Sequence, residues 1–271
     1  MNQLDKDTTL CISLSGRPSN IGTRFHNYLY AELGLNFVYK AFTTSDLPAA
    51  VGGIRALGIR GTGVSMPFKE QIIELVDVMH ESASVIDSVN TVVNEDGVLH
   101  AYNTDYQAVA NLLRDNRLPH SHSVAVAGSG GMAKAVVAAV RDYGFTDVIV
   151  VARNESTGRA LANRYGFEWQ PELGSARPGL LINATPIGMA GGPQAEEVAF
   201  QPDAIDAAEA VFDVVAVPAA TPLIRAAAER RKIIITGAEV VALQAAEQFV
   251  LYTGVRPTPE EVRRASEYSR R

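Results

Sequence analysis

The chain has 271 residues, 47% hydrophobic and 20% charged, an ordinary globular composition with material for more than one core. Its formal charge of −6 excludes a general nucleic-acid surface, because neutralising phosphates takes clustered Lys and Arg, and here they are dispersed. No apolar run reaches membrane-spanning length, the polar start does not read as a secretory signal, and the single cysteine, Cys11, precludes an intrachain disulfide; a cytoplasmic protein with small-molecule partners and no membrane or nucleic-acid partner is expected.

In chain order, residues 9–14 read as a strand, broken by Gly16, Arg17, Pro18 and Ser19, and helical spacing over 25–33 closes at Gly34. Residues 37–42 are strand-like, 47–57 helical with Asp46 as an early-turn carboxylate, and 59–65 strand-like again. Pro67 suits the first turn of a helix carrying Lys69, Ile72, Ile73, Leu75 and Val76, where a missing N–H costs little. A cation near a helix start is disfavoured by ~0.3–1 kcal/mol, which makes a functional Lys69 more natural than a structural one. Strands at 89–94 and 98–102 flank Glu95-Asp96-Gly97, whose Asp-Gly pair supplies the positive φ of a tight hairpin. Asn103-Thr104-Asp105 follows at once, then helical spacing over 106–113 and a polar break at Pro119.

A second series places strands at 124–127, 148–152, 180–183, 211–214 and 233–236, with helices at 132–143, 156–165 and 221–230 between them. Such alternation predicts a parallel, doubly wound sheet. A helix over 239–252 and another starting at Pro259 fold back onto the first domain in this reading. The expected architecture is α/β: residues 1–105 with 238–271 as a substrate-binding and catalytic domain, and 106–237 as a Rossmann-type nucleotide-binding domain, with a cleft between them.

Gly128-Ser129-Gly130-Gly131-Met132-Ala133 satisfies G-x-G-x-x-A between a strand and a helix, where glycines permit close backbone approach and the helix start attracts a pyrophosphate. The bland alternative is an ordinary tight turn. At the end of the next strand Arg153 can pair with a 2′-phosphate and no carboxylate intervenes before Glu155, which favours NADP over NAD. Lys69 and Asp105 form the candidate acid–base pair, because oxidising an alcohol requires a group to take the hydroxyl proton as the hydride leaves. Surface Lys and Asp are usually only solvated, and it is the neighbouring Asn90, Asn103 and Thr104 that distinguish these two. The five histidines are scattered and no metal site is expected; His26, near a helix start, reads either as a ligand contact or, more commonly for such a residue, as a capping or packing histidine.

Together, Gly63-Val64-Ser65-Met66-Pro67-Phe68-Lys69, Val89-Asn90-Thr91, Asn103-Thr104-Asp105, the Gly128 loop, Asn183-Ala184-Thr185-Pro186-Ile187-Gly188-Met189 and Gly237 through Gln244 resemble the shikimate dehydrogenase family in order and spacing. The resemblance implies a two-domain enzyme interconverting shikimate, quinate or a related ring acid and its ketone with NADP, as a monomer or homodimer. It implies Lys69 and Asp105 as the catalytic pair, Ser65, Asn90 and Gln244 as substrate contacts, Gly128, Ser129, Gly130, Gly131 and Arg153 as cofactor contacts, and Thr185, Met189 and Gly237 beside the nicotinamide. The family's two carboxylate-gripping serines ahead of His26-Asn27 align with Asn20 and Gly22, its Asn-Val-Thr reads Gly63-Val64-Ser65, and its tyrosine after the Asp213 strand falls at Ala216. Each lost polar contact costs about 1–3 kcal/mol, so the resemblance implies a shikimate dehydrogenase-like paralogue with low activity on shikimate, an analogue such as quinate or an amino-substituted acid as substrate, or a nucleotide-binding regulatory role.

Overall fold

The computed structural model describes residues 4–271, which form two compact units, one running to Thr104 and resuming over Ala242–Arg271, the other spanning Asp105–Val241. The first contains β1 (Thr9–Leu14), α1 (Asn20–Glu32), β2 (Phe37–Phe42), α2 (Leu47–Ala56), β3 (Gly61–Val64), α3 (Phe68–Gln71), β4 (Val78–Met79), α4 (Glu81–Ser84), β5 (Thr91–Glu95) and β6 (Val98–Tyr102). The second contains α5 (Thr104–Asp115), which starts at the boundary, then β7 (Val124–Ala127), α6 (Gly131–Tyr143), β8 (Val148–Val151), α7 (Glu155–Tyr165), β9 (Glu168–Gln170), β10 (Leu180–Asn183), α8 (Pro202–Ala207), β11 (Ala210–Asp213), α9 (Pro222–Glu229) and β12 (Ile233–Thr236). The chain returns to the first unit within α10 (Gly237–Thr253) and ends with α11 (Pro259–Ser269).

The first unit's sheet has the order β2-β1-β3-β5-β6-β4, with β5 antiparallel to both neighbours and the other pairs parallel. The β5–β6 hairpin closes on Asp96 and Gly97, both at positive φ (51° and 90°), as the Asp-Gly pair requires. Alternate residues feed opposite faces. Ile12, Leu14, Val64 and Val92 pack with Leu47, Val51 and Ile54 of α2, while Cys11, Tyr39 and Val93 pack with Phe25, Leu29 and Tyr30 of α1 and Phe249 and Tyr252 of α10. Cys11 is fully buried, and desolvation pushes its thiol up to about 12, consistent with an inert packing residue.

The second unit's sheet is parallel throughout, in the order β12-β11-β10-β7-β8-β9. Numbered within the unit this is the 3-2-1-4-5-6 doubly wound arrangement, whose ligand crevice lies outside the carboxyl ends of the strands where the winding reverses, here between β7 and β10. Among the described residues no helix is long and apolar enough to cross a membrane.

Several elements depart from the sequence expectation. α1 begins at Asn20 rather than at residue 25, because its first turn is polar or small and carries no apolar period. The helix expected after Pro67 is one α turn followed by a 3₁₀ turn over Ile72–Leu75, with Pro67 at the N-cap rather than inside the helix. A single turn has no distinct ends, so the dipole argument about Lys69 loses its force. β4, α4, β9 and α8 are too short to show a period and were not expected.

Candidate active site

In the first unit the carboxyl ends of β1 and β3 meet the start of β5, and the candidate residues collect there. Ser65 N–H donates to Leu14 O (2.9 Å) and Gly16 N–H to Met66 O (2.9 Å), which ties the segment after β3 to the end of β1. Phe68 inserts into the core beneath while Ser65 and Met66 stay exposed and Lys69 is half-buried. Lys69 O in turn accepts from Val89 N–H (2.9 Å).

Asn90, only 2% exposed, is the hub. Its Oδ1 accepts from Thr104 N–H (2.8 Å) and from Thr91 Oγ1 (2.8 Å); its Nδ2 donates to Thr104 Oγ1 (3.0 Å) and, at 3.5 Å, to Gln244 Oε1. The amide at this position spends most of its capacity inside the protein, so its first role is to fix the turn that presents the next residue, Asp105. Gln244 Oε1 also accepts from Thr104 Oγ1 at 3.4 Å. Gln248, one turn further along α10, donates to Asn90 O (3.1 Å) and Thr91 Oγ1 (3.0 Å). Asn103 helps fix the same turn: its N–H donates to Ser82 Oγ and its Nδ2 to Ser88 O. Asp105 is the second residue of α5 and buried.

Asn20 occupies the exposed first helical position of α1, and Gly22 lies half-buried in the same turn. His26 is fully buried: its Nδ1–H donates to Gly22 O (2.9 Å), its ring stacks on Tyr39 at 4.3 Å and 8°, and desolvation lowers its pKa to about 4, so it is neutral at pH 7 and packs rather than binds. Asn27 clamps the edge strand β2, donating to Tyr39 O (2.8 Å) and accepting from Tyr39 N–H (2.9 Å).

In the second unit the expected cofactor residues stand at the carboxyl ends of β7, β8, β10 and β12. Gly128 has φ +119°, and a Cβ there would lie 2.8 Å from Ala184 O, so only glycine lets β7 and β10 close up. Gly130 is the N-cap of α6 and a Cβ on it would meet nothing within 4 Å; Gly131 opens the helix. The start of α6 thus leaves room beside Gly130, as an anionic pyrophosphate approaching a helix N-terminus requires. Ser129 Oγ and Thr157 Oγ1 are 2.8 Å apart, and Asn154 caps α7 through Thr157 N–H (3.1 Å), leaving Arg153 exposed at the end of β8. A dinucleotide's 2′-phosphate side fits this set: exposed hydroxyls and a guanidinium with no carboxylate before Glu155.

Thr185 donates to Asn183 Oδ1 (2.6 Å), and Asn183 Nδ2 donates to Asp213 Oδ1 (3.0 Å) and Ile187 O (3.1 Å). Asp213 also accepts from Val215 N–H (3.0 Å) and Thr221 Oγ1 (2.6 Å), so the 183–189 loop is held by a buried carboxylate whose pKa burial raises against those bonds. Met189 is 38% exposed beyond it. Gly237 has a packing reason of its own: a Cβ would sit 2.4 Å from the Val214 carbonyl. Gln248 and Tyr39 are not singled out by the sequence, and Thr91 enters it only as part of the Val89-Asn90-Thr91 motif, without a role of its own. A glutamine pair at i and i+4 on a mostly apolar helix is the available sign for Gln248, whereas a mid-strand tyrosine reads as ordinary core.

The fold and site define a two-unit α/β protein, one unit a doubly wound domain of the dinucleotide-binding type and the other a mixed-sheet domain. A model of the shikimate dehydrogenase substrate binding domain matches residues 20–92. A shikimate dehydrogenase-like protein of Haemophilus influenzae is 53% identical over 267 residues, 98% of each chain. A solved shikimate 5-dehydrogenase-like protein superposes with a TM-score of 0.95 at 52% identity, covering 99% of this chain and 100% of that one. Shikimate 5-dehydrogenase from Thermus thermophilus, solved with NADP(H) and shikimate, gives 0.87 at 28% identity over 96% and 99%. The chain belongs to the shikimate dehydrogenase family.

Proposed function

We propose that the protein is an NADP-dependent oxidoreductase that interconverts a secondary alcohol of a shikimate-like, carboxylated ring and the corresponding ketone. The observation that carries this is the tethering of both candidate proton-handling residues to one short segment. Val89 N–H binds Lys69 O, and the adjacent Asn90 Oδ1 binds Thr104 N–H, immediately before Asp105. The cofactor supplies the hydride acceptor or donor. Lys69 and Asp105 take or return the hydroxyl proton, in the range of general acid–base catalysis, ~10²–10⁴-fold. Asn90, Gln244 and Ser65 orient ring hydroxyls, while Gly128, Ser129, Gly130, Gly131 and Arg153 bind NADP, with Thr185, Met189 and Gly237 near its nicotinamide end. NADP is favoured over NAD because Arg153 has no acidic neighbour until Glu155.

The test is the absorbance of NADPH in purified protein with shikimate, quinate and amino-substituted analogues, each with NADP and NAD. Lys69→Ala should lower turnover by orders of magnitude; undiminished turnover removes Lys69 from the mechanism. By the resemblance in sequence, Asn20 and Gly22 align with the family's carboxylate-gripping serines, which favours a ring acid other than shikimate as the best substrate. Ranking by kcat/KM decides between them.

A further inference from the structure

A doubly wound sheet consists of two mononucleotide-binding halves, here one built on β7, β8 and β9 and the other on β10, β11 and β12, and a dinucleotide lies across the reversal between them. Gly128 and Arg153 follow β7 and β8, so a 2′-phosphate at Arg153 leaves the nicotinamide half of NADP to the carboxyl ends of β10, β11 and β12. The loops leaving those ends meet on one carboxylate. Asp213, Asn183 and Thr221 are all fully buried. From the β10 loop, Asn183 Nδ2 donates to Asp213 Oδ1 (3.0 Å), while Asn183 Oδ1 accepts from Thr185 N–H (3.0 Å) and Thr185 Oγ1 (2.6 Å). Thr185 Oγ1 in turn accepts from Ile187 N–H (3.2 Å). From the β11 loop, Val215 N–H donates to Asp213 Oδ1 (3.0 Å) and Thr221 Oγ1 to Oδ2 (2.6 Å). The two loops also bond directly, Ala190 N–H to Val217 O at 2.9 Å, and Gly237, just after β12, packs so closely on Val214 that a Cβ there would lie 2.4 Å from its carbonyl.

We infer that Asp213 is a positioning residue for the nicotinamide half of NADP: its carboxylate locks the loops after β10 and β11 to each other and so fixes the surface on which that half rests. This rests on the NADP-binding part of the proposed function. Three features argue for a device rather than ordinary packing. A core that needs only to be filled has no use for a carboxylate, whose burial is costly unless donors surround it. The donors come from two different loops, so the group joins segments that the strand ladder leaves separate. The other half of the sheet is held without it, by Ser129 Oγ against Thr157 Oγ1 and by Asn154 capping α7, so the two halves stand on separate networks.

The experiment separates the halves with two ligands titrated calorimetrically into full-length protein: NADP, and 2′,5′-ADP, which carries the adenosine and 2′-phosphate but no nicotinamide. Asp213→Asn keeps the volume but puts a donor where one of the carboxylate oxygens accepted. It should weaken NADP about tenfold, the equivalent of one lost hydrogen bond, and leave 2′,5′-ADP within about twofold. Thr221→Val alters a side chain too buried to touch a ligand and should act in the same way through the carboxylate, whereas Thr221→Ser keeps the hydroxyl and should bind NADP like wild type. A merely structural role would weaken both ligands alike or neither. Either result in Asp213→Asn, or in Thr221→Val should Asp213→Asn not fold, overturns the inference, as does Thr221→Ser binding NADP as weakly as Thr221→Val. Wild-type protein that does not bind NADP overturns the cofactor assignment and the inference with it. NADP binding without turnover of any ring acid overturns the proposed reaction alone, and the same titrations still decide on Asp213.

Discussion

Replacing Gly128 by alanine separates two things a glycine loop does. The residue sits at φ +119°, outside even the left-handed helical region, and a non-glycine residue held there costs on the order of 1–3 kcal/mol. The added methyl would also lie 2.8 Å from the main-chain oxygen of Ala184, a residue whose N–H donates to Ala127 O at 2.8 Å. Neither neighbour is a flexible side chain, so relief means parting β7 from β10, and overpacking of this kind costs roughly 1–3 kcal/mol more. Together the loss is about 2–6 kcal/mol against a typical domain stability of about 5–15 kcal/mol. Gly130→Ala is the control: its φ is −83° and a Cβ there meets nothing within 4 Å, so the fold should lose only the roughly 0.5–1 kcal/mol of a poorer N-cap, well below the loss at Gly128. That methyl would stand in the open space before α6, where a pyrophosphate must approach, and NADP affinity should fall. Trp169 is the single tryptophan and packs under Arg159 at 4.3 Å in the same unit, so its fluorescence in a urea titration follows the relevant unfolding; NADP titration by calorimetry reads the binding. Gly128→Ala with an unchanged midpoint would refute the strain argument, and Gly130→Ala with unchanged NADP affinity would refute the loop as a phosphate cradle.

Arg153→Gln should weaken NADP by about tenfold or more while leaving NAD nearly unaffected, as expected for one lost charge-assisted contact; parallel losses for both cofactors would sink the assignment. Asp213 has its pKa raised by burial, so its contribution to stability is fully present below the ordinary carboxylate pKa of about 4 and is lost as pH rises through the higher folded value. Wild type should therefore gain on Asp213→Asn as the pH falls through that window in thermal unfolding, and a constant difference across it would contradict the sign. Asn90→Ala leaves the buried Thr104 N–H without its acceptor at a cost of about 1–3 kcal/mol, and kcat/KM should fall as the turn before Asp105 loosens. Full activity with lowered stability would reduce Asn90 to a structural role.

Much of this protein is determined by local sequence. Strand–helix alternation with apolar runs at 124–127 and 180–183 specifies a parallel sheet because both faces must be covered, the Asp96-Gly97 pair specifies a hairpin through its positive φ, and the Gly128 loop announces its helix start. Lys69, Asn90 and Asp105 were legible because three polar motifs recur at strand ends, where a core has no use for them. What only the tertiary structure decided is pairing across the sheet and between elements. That β5 runs antiparallel between β3 and β6, that Asn90 spends its amide on Thr104, and that Asn183 meets Asp213 depend on contacts between residues far apart in the chain. A period of two or 3.6 tells which face a side chain takes, but not what it will find there, because the partner arrives from another element by packing rather than by local propensity.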